Sequence, residues 1–196
     1  MIAEAIRRSA LADYADRFAF LSAASNRGLS VREVPFLTQI NLRVNPSETG
    51  HMSAIARELG FALPVDPNTV ASRGGRSCLW LGPDEWLIVA RPNQQTAVEA
   101  SLRSALGEHG GSVVDVSANR TVIEVTGPAA RDLLAHGCAV DLHPKRFEPG
   151  HCAQTLLARA GVMIHLIDVT PTFHLYVRAS FAGYLADWLL DASGSD

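Results

Sequence analysis

His136, Cys138, His143, His151 and Cys152 fall within seventeen residues, and each is a side chain that zinc accepts as a ligand. A Cys/His metal site is the sharp reading of that cluster. Its spacings match no tetrahedral zinc pattern, and His143-Pro144 and Gly150-His151 read as turns. Thiol catalysis needs a base beside the sulfur. Cys152 follows His151 directly, but neighbours along a strand point to opposite faces. Gly137, between His136 and Cys138, marks a helix end. Gly74-Gly75 after Ser72-Arg73 lacks the Lys-Ser/Thr helix start of a phosphate loop. These patterns assign no catalytic, cofactor-binding or metal-binding residue. Cys78, Cys138 and Cys152 are an odd set without CxxC spacing, so they read as buried thiols of a reducing compartment rather than a disulfide scaffold.

Arg120 and Arg131 bracket a strand-to-helix turn, with Asp115, Glu124 and Asp132 close in sequence. Surface ion pairing is the plain expectation; an anion site is the functional one. Trp80 and Trp86 flank a hairpin, and Trp188 lies on a broad apolar stripe with Phe181, Tyr184, Leu185 and Leu189. Each tryptophan can be core or partner anchor. Trp80, Trp86, Arg120 and Trp188 form the candidate partner interface.

The elements that must position these residues show in the periodicity. Phe36, Ile40, Leu42 and Val44 alternate with Gln39, Asn41 and Arg43, a strand pattern. Met52, Ile55, Ala56 and Leu59 recur at helical spacing before Gly60. Strands 78–81 and 86–89 form a hairpin around Gly82-Pro83-Asp84-Glu85, which is not the tightest two-residue type, and a helix follows over 94–106. A second round predicts strands 113–116 and 121–126, then a helix over 129–135 opened by Pro128. A third predicts strands 155–157, 162–167 and 174–177, then a helix over 181–190 capped by Ser180. Repeated strand-strand-helix units imply an α+β fold, a mostly antiparallel sheet with helices on one face. Residues 1–34 read as a partly ordered N-terminal arm with a short helix. Residues 35–196 read as one domain of two interlocked subdomains, about 35–110 and 111–196.

Hydrophobic residues make up 47% and charged residues 19% of the 196 residues, so a large core can form. A net charge of −3 carries neither a nucleic-acid footprint nor a polybasic membrane patch. No secretory or membrane-spanning stretch is visible, and a cytoplasmic location is expected.

Five segments carry a family resemblance. DVSANRT (115–121) running into VTGPAA (125–130) is similar to the strand and helix start of aminomethyltransferase, the glycine-cleavage T-protein, and its folate-binding relatives. FLTQINLR (36–43), LWLGPDEWL (79–87), GCAVDLHP (137–144) and FEPGHCAQTLL (147–157) together resemble the γ subunit of heterotetrameric sarcosine oxidase. The resemblance implies a folate-protein-like fold and a non-catalytic structural subunit. Its partners would be the α, β and δ subunits of an enzyme that oxidises sarcosine to glycine, hydrogen peroxide and formaldehyde or methylene-tetrahydrofolate. It implies no cofactor on this chain: FAD, FMN, NAD and tetrahydrofolate would lie on partner subunits and zinc on the smallest. The glutamate of the folate-reading segment has no counterpart in Ile167-Asp168-Val169-Thr170-Pro171-Thr172-Phe173-His174-Leu175, nor is the relatives' catalytic aspartate matched. A stand-alone folate-binding one-carbon protein is the alternative; an unrelated assembly factor is a third reading. Apolar surface meant for partners is expected to make the isolated chain self-associate.

Overall fold

The computed structural model describes residues 7–107 and 110–194. Two antiparallel five-stranded sheets pack face to face. The first contains β2 (Thr38–Arg43), β3 (Val70–Arg73), β4 (Arg76–Gly82), β5 (Glu85–Ala90) and β6 (Ser112–Asp115), in the order β3-β4-β5-β2-β6. The second contains β1 (Ser30–Val34), β7 (Arg120–Thr126), β8 (Cys152–Leu157), β9 (Ala160–Asp168) and β10 (Thr172–Arg178), in the order β1-β7-β10-β9-β8.

Each sheet buries its outer face under helices. Ile40, Leu42, Cys78, Trp86, Ile88 and Val113 form one core with Ile55 and Leu59 of α2 (Thr49–Leu59) and Val98 and Leu102 of α3 (Gln95–Leu106). Ile123, Val125, Ile164, Phe173, Leu175 and Val177 form another with α1 (Ala15–Ala24), α4 (Ala130–Ala135) and α5 (Ala179–Ser193). Between the sheets Leu79, Leu87, Val89, Val122, Cys152, Met163 and Tyr176 make the third core. The period-two alternation of each strand therefore feeds two cores at once. No described helix is long and apolar enough to cross a membrane.

Several expectations need adjusting. The partly ordered arm expected over 1–34 carries its short helix as α1, and the strand β1 as well, and packs into the fold because Leu11, Phe18, Leu29 and Val31 are buried in the second sheet's core; residues 1–6 lie outside the described residues. The division near residue 110 also shifts. β6 belongs to the first sheet through its pairing with β2, and β1 belongs to the second through β7. Gly82 pairs with Glu85, so Pro83-Asp84 is a two-residue turn. A register shift between Trp80 and Gly82 accompanies it, which adds local twist where the turn is not of the primed kind. Ser180 is not the cap of the last helix. The strand β10 runs straight into α5, and the Ala179 N–H donates to the Asn119 carbonyl at 3.1 Å.

Two glycines behave as the sequence requires. Gly60 closes α2 at φ 82°, its N–H returning to the Ala56 carbonyl. Gly127 holds φ 113° with the Gly28 carbonyl so close that a Cβ would stand 1.8 Å from it, which sets the turn from β7 into α4.

Candidate functional site

Strand register lays the inner face of the second sheet out in rows. The middle row is Val34, Val122, Tyr176, Met163 and Gln154, and its apolar members seal against the first sheet. Two polar rows flank it.

On one side run Arg32, Glu124, His174, His165 and Cys152. Arg32 Nε donates to Glu124 Oε1 at 2.7 Å, and His174 Nε2 lies 3.0 Å from Glu124 Oε2. An ionised carboxylate only accepts, so the proton of neutral His174 sits on Nε2. Burial lowers the His174 pKa, and Glu124 works against that. The next ring, His165, is 4% exposed and meets His174 edge to face with centroids 6.4 Å apart. Its Nδ1 is buried without a partner among the described residues, and burial, then His174, push its pKa down to about 3. Cys152 ends the row with Sγ 3.6 Å from the carbonyls of Thr69 and Trp80, and burial pushes its thiol up to about 11. Neutral imidazoles and a neutral thiol make this a packed polar row, with no thiolate for nucleophilic chemistry at neutral pH.

On the other side Arg120 and Arg178 stand directly opposite one another on β7 and β10. They line a cleft of about 370 Å³ with Leu81, Gln154, Met163, Tyr176 and Phe181. Gln154 Nε2 donates to the Leu81 carbonyl at 2.9 Å, tying the second sheet to the first at the cleft wall. Burial lowers the Arg120 pKa, Arg178 lowers it further, and Glu85 partly compensates.

The residues singled out from sequence scatter. Trp86 leaves the candidate interface: it is 0% exposed and its indole N–H donates to the Pro64 carbonyl at 2.7 Å. Trp80 is its direct cross-strand partner and packs half-buried on the same core. Trp188 packs half-buried on the second sheet's core, over Gly137, where a Cβ would stand 2.6 Å from its ring. Of the four, Arg120 lines the cleft between the sheets, and Trp188 borders a separate hollow with Arg17, Tyr184 and Asp187. Arg131 departs from the ion-pair expectation. Its guanidinium donates to the carbonyls of Leu142 and Phe147 and lies 5.4 Å over the Phe173 ring, fastening the 142–147 loop. Glu124 pairs with Arg32, Asp132 pairs with Arg27 at 3.0 Å, and Asp115 accepts from Ser117.

The Cys/His cluster does not converge. Cys138, Asp141 and His143 border a hollow of about 340 Å³ beside Arg131, while Cys152 lies between the sheets. Among the described residues no three His, Cys, Asp or Glu side chains gather as a metal set. A larger apolar groove of about 650 Å³ runs between α1 and α5, past Phe20, Leu21, Leu29 and Leu190; Arg17 and Arg27 at its edge pair with Asp187 and Asp132. Arg178, His165 and His174 are the site residues that sequence reading missed. Their parity within each strand was visible, but the register that aligns three strands was not.

This two-sheet architecture is found in the glycine cleavage aminomethyltransferase T from Bartonella henselae. That structure overlays with a TM-score of 0.61 at 15% identity, over 83% of this chain and 45% of that one, a likeness of fold alone. A chain of the heterotetrameric sarcosine oxidase from Corynebacterium sp. U-96, solved in complex with pyrrole 2-carboxylate, overlays at a TM-score of 0.88. The identity is 38%, and the overlay covers 96% of this chain and 95% of that one. The sarcosine oxidase subunit gamma of Corynebacterium sp. strain U-96 is 39% identical over 188 residues, 95% of this chain and 90% of the relative. Its counterpart from Arthrobacter sp. is 37% identical over the same shares. The model of the sarcosine oxidase, gamma subunit family, matches residues 43–195. Matched over most of its length by that model, this chain belongs to the sarcosine oxidase gamma subunit family.

Proposed function

We propose that this chain is a non-catalytic structural subunit of a heterotetrameric sarcosine oxidase. In this reading the assembly oxidatively demethylates sarcosine to glycine, formaldehyde or methylene-tetrahydrofolate, and hydrogen peroxide. FAD, FMN, NAD and tetrahydrofolate then reside on the partner subunits and zinc on the smallest. The observation that carries the reading is the near-complete overlay on one chain of such a heterotetramer. Site chemistry supports it. The thiols of Cys78 and Cys152 are held protonated by burial, His165 is locked neutral, and the face between the sheets is filled by Val122, Met163 and Tyr176.

The test is to co-produce the tagged chain with the α, β and δ subunits. A four-chain, flavin-coloured complex with sarcosine-dependent peroxide production is expected, while the chain alone is colourless and yields no peroxide. Peroxide from the pure chain and sarcosine overturns the reading. Saturable micromolar binding of a reduced folate to the pure chain favours a stand-alone folate protein instead.

A further inference from the structure

We infer that the cleft of Arg120 and Arg178 receives an Asp or Glu side chain from a partner subunit, an acidic anchor on a protein surface. The inference rests on the subunit reading above and names one contact within it.

The first observation is the arginine pair itself. Arg120 and Arg178 are cross-strand partners on one face of an antiparallel ladder, which sets their Cβ atoms about 5 Å apart and makes like charges repel. Among the described residues neither guanidinium makes an ion pair or a hydrogen bond. Glu85, the carboxylate whose charge reaches Arg120, is already engaged: Asn41 donates to its Oε1 at 2.7 Å and Arg43 to its Oε2 at 3.0 Å. Two cations opposed in this way gain from one bridging anion, and arginine forks suit a carboxylate.

The second observation is space. Gly161 lines the same cleft, and a Cβ added there would meet nothing within 4 Å. Its φ is not in the left-handed region, so backbone conformation does not demand glycine there. The missing side chain leaves the cleft floor open.

The third observation chooses the source of the carboxylate. Phe181, on the cleft wall, is 45% exposed, and Leu156, the cross-strand partner of Gly161, is 54% exposed. Arginines beside Met163, Tyr176, Phe181 and Leu156 have the composition of a protein interface with a charged centre. A free anion would leave Phe181 and Leu156 in water; an acidic residue carried on a protein surface covers them as it docks.

The test measures association of the purified chain with the rest of the oxidase, by titration at two salt concentrations. Arg120→Gln and Arg178→Gln are each expected to weaken association at least about tenfold and to reduce its salt dependence. The isolated variants should melt at the same temperature as wild type or higher, because the repulsion is gone. Gly161→Val keeps both charges, fills the cleft and should weaken association as well. Arg178→Lys should fall between wild type and Arg178→Gln.

Variants that associate as tightly as wild type overturn the inference, as does weakening that merely tracks a lower melting temperature. A succinate titration covers the remaining source. If succinate raises the melting temperature through Arg178 while assembly ignores Arg178, the cleft is a small-anion site and the inference falls. Failure of the wild-type chain to assemble defeats the subunit reading itself, and the contact with it; that outcome is distinct from normal assembly by the variants.

Discussion

Two polar rows flank the same apolar row on the inner face of the second sheet, and each contains arginine. In one, Arg32 meets Glu124 at 2.7 Å and Glu124 meets His174 at 3.0 Å, so charge is balanced inside the chain. In the other, Arg120 faces Arg178 with no carboxylate in the row. On β7 the difference is a carboxylate in one row and a guanidinium in the other. Glu124 stands two residues from Val122 on one side, and Arg120 stands two residues from it on the other. A sheet can thus hold a cation with its own counter-charge or leave it opposed to a like charge; the β7–β10 ladder runs through both rows, and only the side-chain pairs differ in sign.

The strongest way to break this contrast is to open the closed row. Glu124→Ala leaves the His174 Nε2–H without its acceptor and Arg32 without its anion. Arg32 is 60% exposed in its side chain, so solvent already screens that pair. Most of the loss comes from the half-buried bond to His174, and the expected cost is about 2–3 kcal/mol, read from urea unfolding at pH 7.5. A cost near zero would show that the closed row is no more closed than the open one.

The contrast was only partly legible in the sequence. Alternation marked β2, an apolar run beside a turn marked β5, and Gly60 and Pro128 punctuated the helices, because period and breakers are local properties. The strands β1 and β3 escaped notice. Ser30–Val34 mixes Arg32 and Glu33 into its run, and Val70–Arg73 is mostly small and polar; pairing with β7 and β4 holds them extended, and that pairing is tertiary information. The site suffered in the same way. Arg120 was singled out, but Arg178 becomes its partner only through register. Trp86 looked as suitable for an interface as Trp80, since cross-strand partners share a face. Its indole bond to the Pro64 carbonyl and its place under α2 and α3 came from packing that no hairpin pattern encodes.

Acid sharpens the comparison next, because only the closed row contains buried histidines. The His165 pKa is lowered to about 3, against about 6.5 unfolded. Its contribution to stability is fully present above the unfolded value and is lost as pH falls from about 6.5 towards 3, since the unfolded chain binds the proton first. By pH 5 the loss amounts to about 2 kcal/mol. His174 shifts in the same direction and adds to it. His165→Leu also removes the unpartnered Nδ1, so it should change stability little at pH 7.5 and flatten the decline between pH 6.5 and 5. A variant that keeps the wild-type slope would place the acid sensitivity elsewhere.

Salt supplies the smallest and most selective effect. In the isolated chain, repulsion between Arg120 and Arg178 acts across a short distance with Arg178 exposed, so it is worth less than about 1 kcal/mol and mobile ions screen it. Arg178→Gln should therefore raise the melting temperature slightly at low ionic strength, and the gain should shrink as sodium chloride approaches 0.5 M, an order-of-magnitude choice that brings the screening length to about 4 Å. Arg32→Gln should behave oppositely. It removes an attraction, lowers the melting temperature at low salt, and its deficit shrinks as the same screening sets in. Opposite signs from two arginines, on the two strands that flank β7 and on one face of one sheet, are what a closed and an open row require. Equal signs would mean that Arg178 has a counter-charge within the chain after all, and the cleft would lose its claim on a partner's carboxylate.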